Sequence, residues 1–344
     1  MISKKTKLLS ICLAVTMAVG IAGCGAKKEA AADKKGWAPQ KQVTFMAASG
    51  AGGGLDMLAR TVSKIFDSKK LVTQPMMVEN KPGGGQVTAT VAFATQSSKD
   101  DHKLLVASTP FILNYIKKDG NSPIGPDDIY PLAMMQGDYG VIAVRAESKY
   151  QTLKDLMDAA KANPASVTFM GGGAPGTWDF LNMIQVARKA GVDIKALKYN
   201  PYDGGGEALT ALLGGHGDAM TSDVSSIKQY LQAGKVRVLG VSSPSRMADD
   251  EIMKNIPTYK EQGYDVVTAN WRGIFLGKDV PEPAKKYWGE KMAELAKSPE
   301  WKEELKKQGL VENFKDSKAF YDYIKSEQAI YTEIYKDLGM ATAK

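Results

Sequence analysis

Val43-Thr44-Phe45-Met46-Ala47-Ala48-Ser49-Gly50-Ala51-Gly52-Gly53-Gly54-Leu55-Asp56-Met57-Leu58-Ala59-Arg60-Thr61-Val62-Ser63-Lys64-Ile65-Phe66 is one strand, one glycine loop and one helix in succession. The apolar run Val43 to Ala47 predicts the strand. Leu55, Leu58, Ala59, Val62, Ile65 and Phe66 then fall at i, i+3, i+4, i+7 spacing on one helix face. The same alternation continues outward. Strands are predicted at Met76 to Val78, Leu104 to Ala107, Val141 to Val144, Val167 to Met170, Ala196 to Tyr199, Ala219 to Thr221 and Val236 to Val241. Helices are predicted near Gln86 to Thr95, Leu153 to Ala162, Thr177 to Ala190, Glu207 to Leu213 and Val224 to Ala233, and the chain from Pro283 onward reads as helical. Strand–helix alternation of this kind argues for α/β architecture, with largely parallel sheets flanked by helices.

Glycine concentrates where strands end and helices begin. Gly50 to Gly54, Pro82 to Gly85, Gly171 to Gly176 and Gly204 to Gly206 all hold such places. In open α/β sheets ligands sit at the carboxyl ends of strands. A glycine there lets backbone approach the ligand, and the next helix offers free N–H groups and a positive dipole end. Four loops so placed describe a site for an anion that needs no arginine. Gly171, Gly173 and Gly176 also match G-x-G-x-x-G, but Asp193 precedes the strand at Ala196 instead of ending a second strand, so a dinucleotide site is rejected. There is no G-x-x-x-x-G-K-[ST] loop and no G-x-S-x-G elbow. With two histidines in the chain, His102 read as a surface residue and His216 as a loop residue, neither a Ser-His-Asp triad nor a histidine-rich metal site has material. No cofactor, no metal and no catalysis are expected.

The amino terminus sets the compartment. Lys4, Lys5 and Lys7 precede an apolar stretch from Leu8 to Gly20, and Ile21-Ala22-Gly23-Cys24 follows as a lipobox. Residues 1–23 are therefore expected to be a signal peptide, with Cys24 the lipidated first residue of a mature chain anchored to the bilayer outside the cytoplasm. Residues 24–40 read as a flexible tether. Taking the three signal lysines from the formal charge of +7 leaves +4, too mild to imply nucleic acid. Cys12 falls in the signal segment, so the mature chain has no cysteine for an internal disulfide or a thiolate metal site.

The order of motifs resembles one family. Ala48 to Asp56 with Leu58-Ala59-Arg60 is similar to the first ligand loop of the extracytoplasmic receptors of tripartite tricarboxylate transporters. Glu79 to Gly85 resembles that family's second glycine loop. Pro201-Tyr202-Asp203-Gly204 with Ala208 to Gly215 and Asp218, then Ala233 to Leu239, Ile256-Pro257-Thr258 and Trp271-Arg272-Gly273, complete the order over residues 41 to 338. The resemblance implies a two-lobed, clam-shell binding protein of the periplasmic type. Lobe 1 would be 41–138 plus 268–344 and lobe 2 would be 139–267. It implies a small organic carboxylate, or an amino acid, in the cleft, passed to membrane permease subunits; with the lipobox, the receptor is expected to be a monomeric lipoprotein. Carried over by position, the ligand residues would be Ser49, Gly50, Gly52, Gly53, Ser108, Thr109, Gly172, Gly173, Thr177, Trp178, Tyr202, Ser222 and Asp223. Ser49 and Trp178 depart from the family pattern. Asp223 would meet an amine or hydroxyl on the ligand or cap the helix starting at Val224, and capping is the favoured reading. An exported hydrolase and a ligand-sensing receptor are the alternatives.

Overall fold

The computed structural model describes residues 36–342; the signal, Cys24 and most of the tether lie outside these. The quoted stretch forms β1 (Val43–Ala47) and α1 (Gly54–Ser68), and the six apolar positions of α1 are all buried. The chain continues through β2 (Met76–Asn80), α2 (Val87–Gln96), β3 (Lys103–Ser108), α3 (Pro110–Ile116) and β4 (Ile129–Arg145). It proceeds through α4 (Leu153–Ala162), β5 (Thr168–Gly171), α5 (Trp178–Lys189), β6 (Lys198–Pro201) and α6 (Gly205–Leu213). Next come β7 (Ala219–Asp223), α7 (Val224–Gln232), β8 (Val236–Val241), β9 (Ala269–Gly277), α8 (Glu282–Lys297), α9 (Pro299–Gln308), β10 (Val311–Lys315) and α10 (Ser317–Leu338).

The strands form one sheet in the order β2-β1-β3-β9-β4-β7-β5-β6, with β10 and β8 also paired to β4. Its two halves meet in β4, a strand of 17 residues. From Ile129 to Tyr139 it pairs with β9; from Gly140 it pairs with β7, and from Val141 with β8. Away from β4 and β9 the halves are parallel: β1 lies between β2 and β3, and β5 lies between β6 and β7. The strands that cross between halves supply the antiparallel pairings. Val141 to Val144 is thus only the end of a longer strand. Pro131 and Gly137 interrupt the first half as turn residues do; the ladder tolerates Pro131 at a register shift between Pro131 and Ala133.

Where the chain crosses, one hydroxyl serves both segments. The Gly140 N–H donates to Ser242 Oγ (2.7 Å), and that hydroxyl donates to the Thr268 carbonyl (2.5 Å). The Ser242 N–H returns to the Gly140 carbonyl at 2.8 Å. Behind this junction lies α10. Its Phe320 packs edge-on against Trp271 at 5.2 Å, a geometry worth about 0.5–1.5 kcal/mol beyond area burial. Its Tyr331 hydroxyl lies 3.0 Å from Thr268 Oγ1 and donates to Glu327 (2.5 Å), whose carboxyl burial pushes up to about 7. Helices α4, α9 and α10 are capped by Thr152, Ser298 and Asp316, whereas α1, α5 and α6 have no side-chain cap.

His102 corrects the sequence reading. It is 8% exposed, with Nε2 accepting the Gln40 N–H at 2.9 Å and Nδ1 against Asp101 at 2.6 Å. It locks the entry of the chain into β1. Among the described residues no helix is long and apolar enough to cross a membrane.

Candidate ligand-binding site

The register of the crossing strands assembles one polar face. Ser108 of β3 lies opposite Arg272 of β9, and Arg272 lies opposite Gln136 of β4. Asn270 lies opposite Asp138, and Asp223 of β7 lies opposite Gly140. Directly paired residues share a face, as do residues two apart on a strand. Ser108, Arg272, Gln136, Asn270, Asp138 and Asp223 therefore run across the join on one side of the sheet.

At one end of this face sits the loop between β1 and α1. Asp56, 2% exposed, accepts from the Gly52 N–H, Arg60 Nε and Asn80 Nδ2, each at 2.9 Å. The Arg60 guanidinium, with the Gly52 and Asn80 hydrogen bonds, holds the Asp56 carboxyl down to about 2. Asn80 also donates to the Ser49 carbonyl at 3.2 Å, so the loop is fixed from below. Gly52 takes φ of 78°, a left-handed conformation that suits glycine. Gly50 is exposed, the Gly53 N–H donates to the Gly50 carbonyl (3.2 Å), and the Ser49 hydroxyl donates to the same carbonyl at 3.2 Å. Over the helix start lies Arg272, half-buried. A Cβ on Gly54 would stand 2.7 Å from its Cζ.

Ser108 and Thr109 are less free than the sequence suggests. Gln86 holds a left-handed φ of 84° and turns its amide onto Ser108, donating to Oγ at 2.6 Å and accepting its N–H at 3.0 Å. Thr109 is fully buried, and its hydroxyl accepts the Trp271 N–H at 3.2 Å.

At the other end the Gly171 to Gly176 loop meets the Gly204 loop. A Cβ on Gly172 would collide with the backbone of Gly204 and Gly205. The Tyr202 N–H donates to the Gly171 carbonyl at 3.0 Å, and Tyr199 donates its hydroxyl to the Gly173 carbonyl at 2.9 Å. The Gly172 N–H is taken by Asp179 at 2.7 Å, and the Thr177 hydroxyl donates to the Ala174 carbonyl at 2.8 Å. Ser222 is buried, with Oγ 3.9 Å from where a Gly205 Cβ would be.

Asp223 does not cap α7, contrary to the favoured sequence reading. Its oxygens instead accept from the Trp178 indole (2.5 Å) and Asn270 Nδ2 (3.3 Å). The start of α7 is served from β4: Asp138 accepts both the Ser225 N–H, at 3.2 Å, and the Ser225 hydroxyl. Burial raises the Asp138 carboxyl, and burial with the nearby Asp138 and Asp179 raises Asp223 well above the carboxylate range. Asp179 is pushed up to about 6 by burial, with Asp138 adding to the shift. Asp138, Asp179, Asn270 and Arg272 were not among the predicted site residues. For Asp138, Asn270 and Arg272 the readable signal was polar side chains inside otherwise apolar strands, while Asp179 stands in the first turn of α5.

A family model described as tripartite tricarboxylate transporter family receptor matches residues 58–340. A UPF0065 protein from the gbd 5' region of Cupriavidus necator is 30% identical over 339 residues, covering 96% of each chain. The crystal structure of a TctC solute binding protein from Polaromonas has a TM-score of 0.75 at 26% identity, covering 87% of this chain and 99% of that one. A Rhodopseudomonas palustris protein solved with adipate has a TM-score of 0.70 at 21% identity, over 88% and 99% of the two chains, and shares the fold. The chain belongs to the tripartite tricarboxylate transporter receptor family, extracytoplasmic α/β binding proteins of the periplasmic type that capture solutes and do not transform them.

Proposed function

We propose that this protein captures a small organic carboxylate between two lobes and delivers it to the membrane subunits of a tripartite tricarboxylate-type transporter. The observation that carries this reading is the placement of two uncapped helix starts, α1 and α5, at opposite ends of one polar face. Each offers N–H donors and a positive dipole end to an anion. The lobes are 41–138 plus 268–344 and 139–267, and they close about the Gly140–Ser242–Thr268 junction. Ser49, Gly50, Gly52, Gly53, Gly172, Gly173, Thr177, Trp178, Tyr202, Ser222 and Asp223 line the closed site, with Ser108 and Thr109 beneath it. Asp223, half-buried with two donors already in place, favours a ligand that carries a hydroxyl or amine beside its carboxylate. Adipate in the Rhodopseudomonas palustris neighbour supports the carboxylate class. Cys24 carries the lipid that keeps the receptor, a monomer, beside its permease.

Calorimetry of the full chain in detergent with malate, succinate, adipate and aspartate tests the reading. One site per chain for at least one of them, with the ligand recovered unchanged, is expected. No binding across the set, or steady conversion of a ligand, overturns it. For the anchor, Cys24→Ser is expected to release the protein from membranes, and retention at the parent level defeats that part.

A further inference from the structure

Arg272 stands where a cation is least favoured. The start of a helix carries a partial positive charge from its unpaired N–H groups. The guanidinium nevertheless packs over Gly54, the first residue of α1. It brings five N–H donors, yet no hydrogen bond or salt bridge to the Arg272 side chain exists among the described residues. The acids around it are committed elsewhere. Asp56 holds Arg60, Asn80 and Gly52; Asp138 holds Ser225; Asp223 holds Trp178 and Asn270. Asp138 acts on Arg272 only through space.

A second observation points the same way. Gln136, opposite Arg272 in the β4–β9 ladder, is 2% exposed and its amide nitrogen has no acceptor. A buried donor without a partner carries a desolvation cost that a native fold normally avoids. Here a half-buried guanidinium, a buried amide and an uncapped helix start lie together, all donors. Their shared complement is an anion.

We propose that Arg272, with Gln136 beside it, is the charged anchor for the ligand's carboxylate, so that this receptor uses a cation where backbone N–H groups alone were expected. The inference rests on the carboxylate-binding reading above and adds a residue to it. A side chain at position 54 would have to displace the guanidinium.

The test compares the full chain with its Arg272→Gln, Arg272→Lys and Gly54→Ala variants, using succinate, malate, adipate and aspartate as calorimetric probes and thermal unfolding without ligand as the control. Removing one charged hydrogen-bonding partner is expected to weaken the carboxylate that binds the parent by about tenfold to a hundredfold. Arg272→Lys should recover part of that loss, and Gly54→Ala should weaken binding with the charge still present. Melting without ligand should not fall in Arg272→Gln, because the Arg272 side chain makes no hydrogen bond or salt bridge to the described residues, and its backbone pairing in β9 is kept. If the parent binds a probe and Arg272→Gln binds it within twofold, the anchor is wrong while the carboxylate reading stands. If Arg272→Gln melts early, Gly54→Ala decides, and parental affinity there overturns the anchor. If the parent binds none of the probes, both fall.

Discussion

The two ends of the polar face carry opposite surpluses. Around β1, β3 and α1 the surplus is of donors: Arg272, the Gln136 amide and the start of α1. Around β5 and β7 it is of acids: Asp138, Asp179 and Asp223, all raised by burial. The acids already hold donors, whereas the donor end is unpaired among the described residues, in contrast to α4, where Thr152 and Asp155 close a capping box. A helix start closed by its own residues has no donors left to give, whereas an open one can offer them to water or to a ligand, and α1 and α5 differ from the open start of α8 in facing the polar side of the sheet.

The largest effect comes from erasing the contrast. Arg272→Glu would place an acid at both ends, and a like charge beside a bound carboxylate costs several kcal/mol. Carboxylate affinity is expected to fall on the order of a thousandfold, measured by calorimetry; a loss under tenfold would mean that the ends are not electrically distinct. A smaller effect sharpens the acid end through pH. Asp179 has an ordinary value of 3.8 and sits at about 6 in the folded chain. Between those values the unfolded chain gives up the proton and the folded one keeps it, so stability falls as pH rises through that window and is level above it. The cost is about 2–3 kcal/mol. Asp179→Asn keeps an acceptor for Gly172 and should flatten that part of the curve of unfolding free energy against pH. Parent and variant curves that run parallel from pH 4 to 7 would remove Asp179 from the account.

The smallest effect concerns Thr177, whose hydroxyl is spent on the Ala174 carbonyl. Thr177→Val should cost about 0.5–1.5 kcal/mol of unfolding free energy and leave carboxylate affinity within tenfold. A larger loss of affinity than of stability would show that the hydroxyl turns to the ligand on closure.

Legibility followed sequence distance. The glycine loops, α1 and the parallel strands could be read because strand, turn and helix periodicities are local. The first half of β4 could not, since Pro131 and Gly137 look like punctuation until β9 and β10 pair beside them. The α7 cap was misassigned because Asp223 is adjacent and Asp138 lies 87 residues from Ser225. Arg272 was visible inside a recognisable motif, but what makes it matter is Gly54, brought against it by the β3–β9 ladder. Asp223 was singled out as an acid just beyond the strand read at Ala219 to Thr221, while its partners Trp178 and Asn270 needed the fold.

The contact between Arg272 and Gly54 also gives the smallest residue of the loop a hold on the largest charge near it. The space a methyl would fill at position 54 is occupied by the guanidinium carbon, 2.7 Å from the place of the missing Cβ. A side chain at 54 must push the guanidinium aside, and because the contact is with the far end of a flexible side chain, what moves is the charge and not the backbone. Position 54 is therefore a dial on where the positive charge sits, one that can be turned without altering the arginine itself.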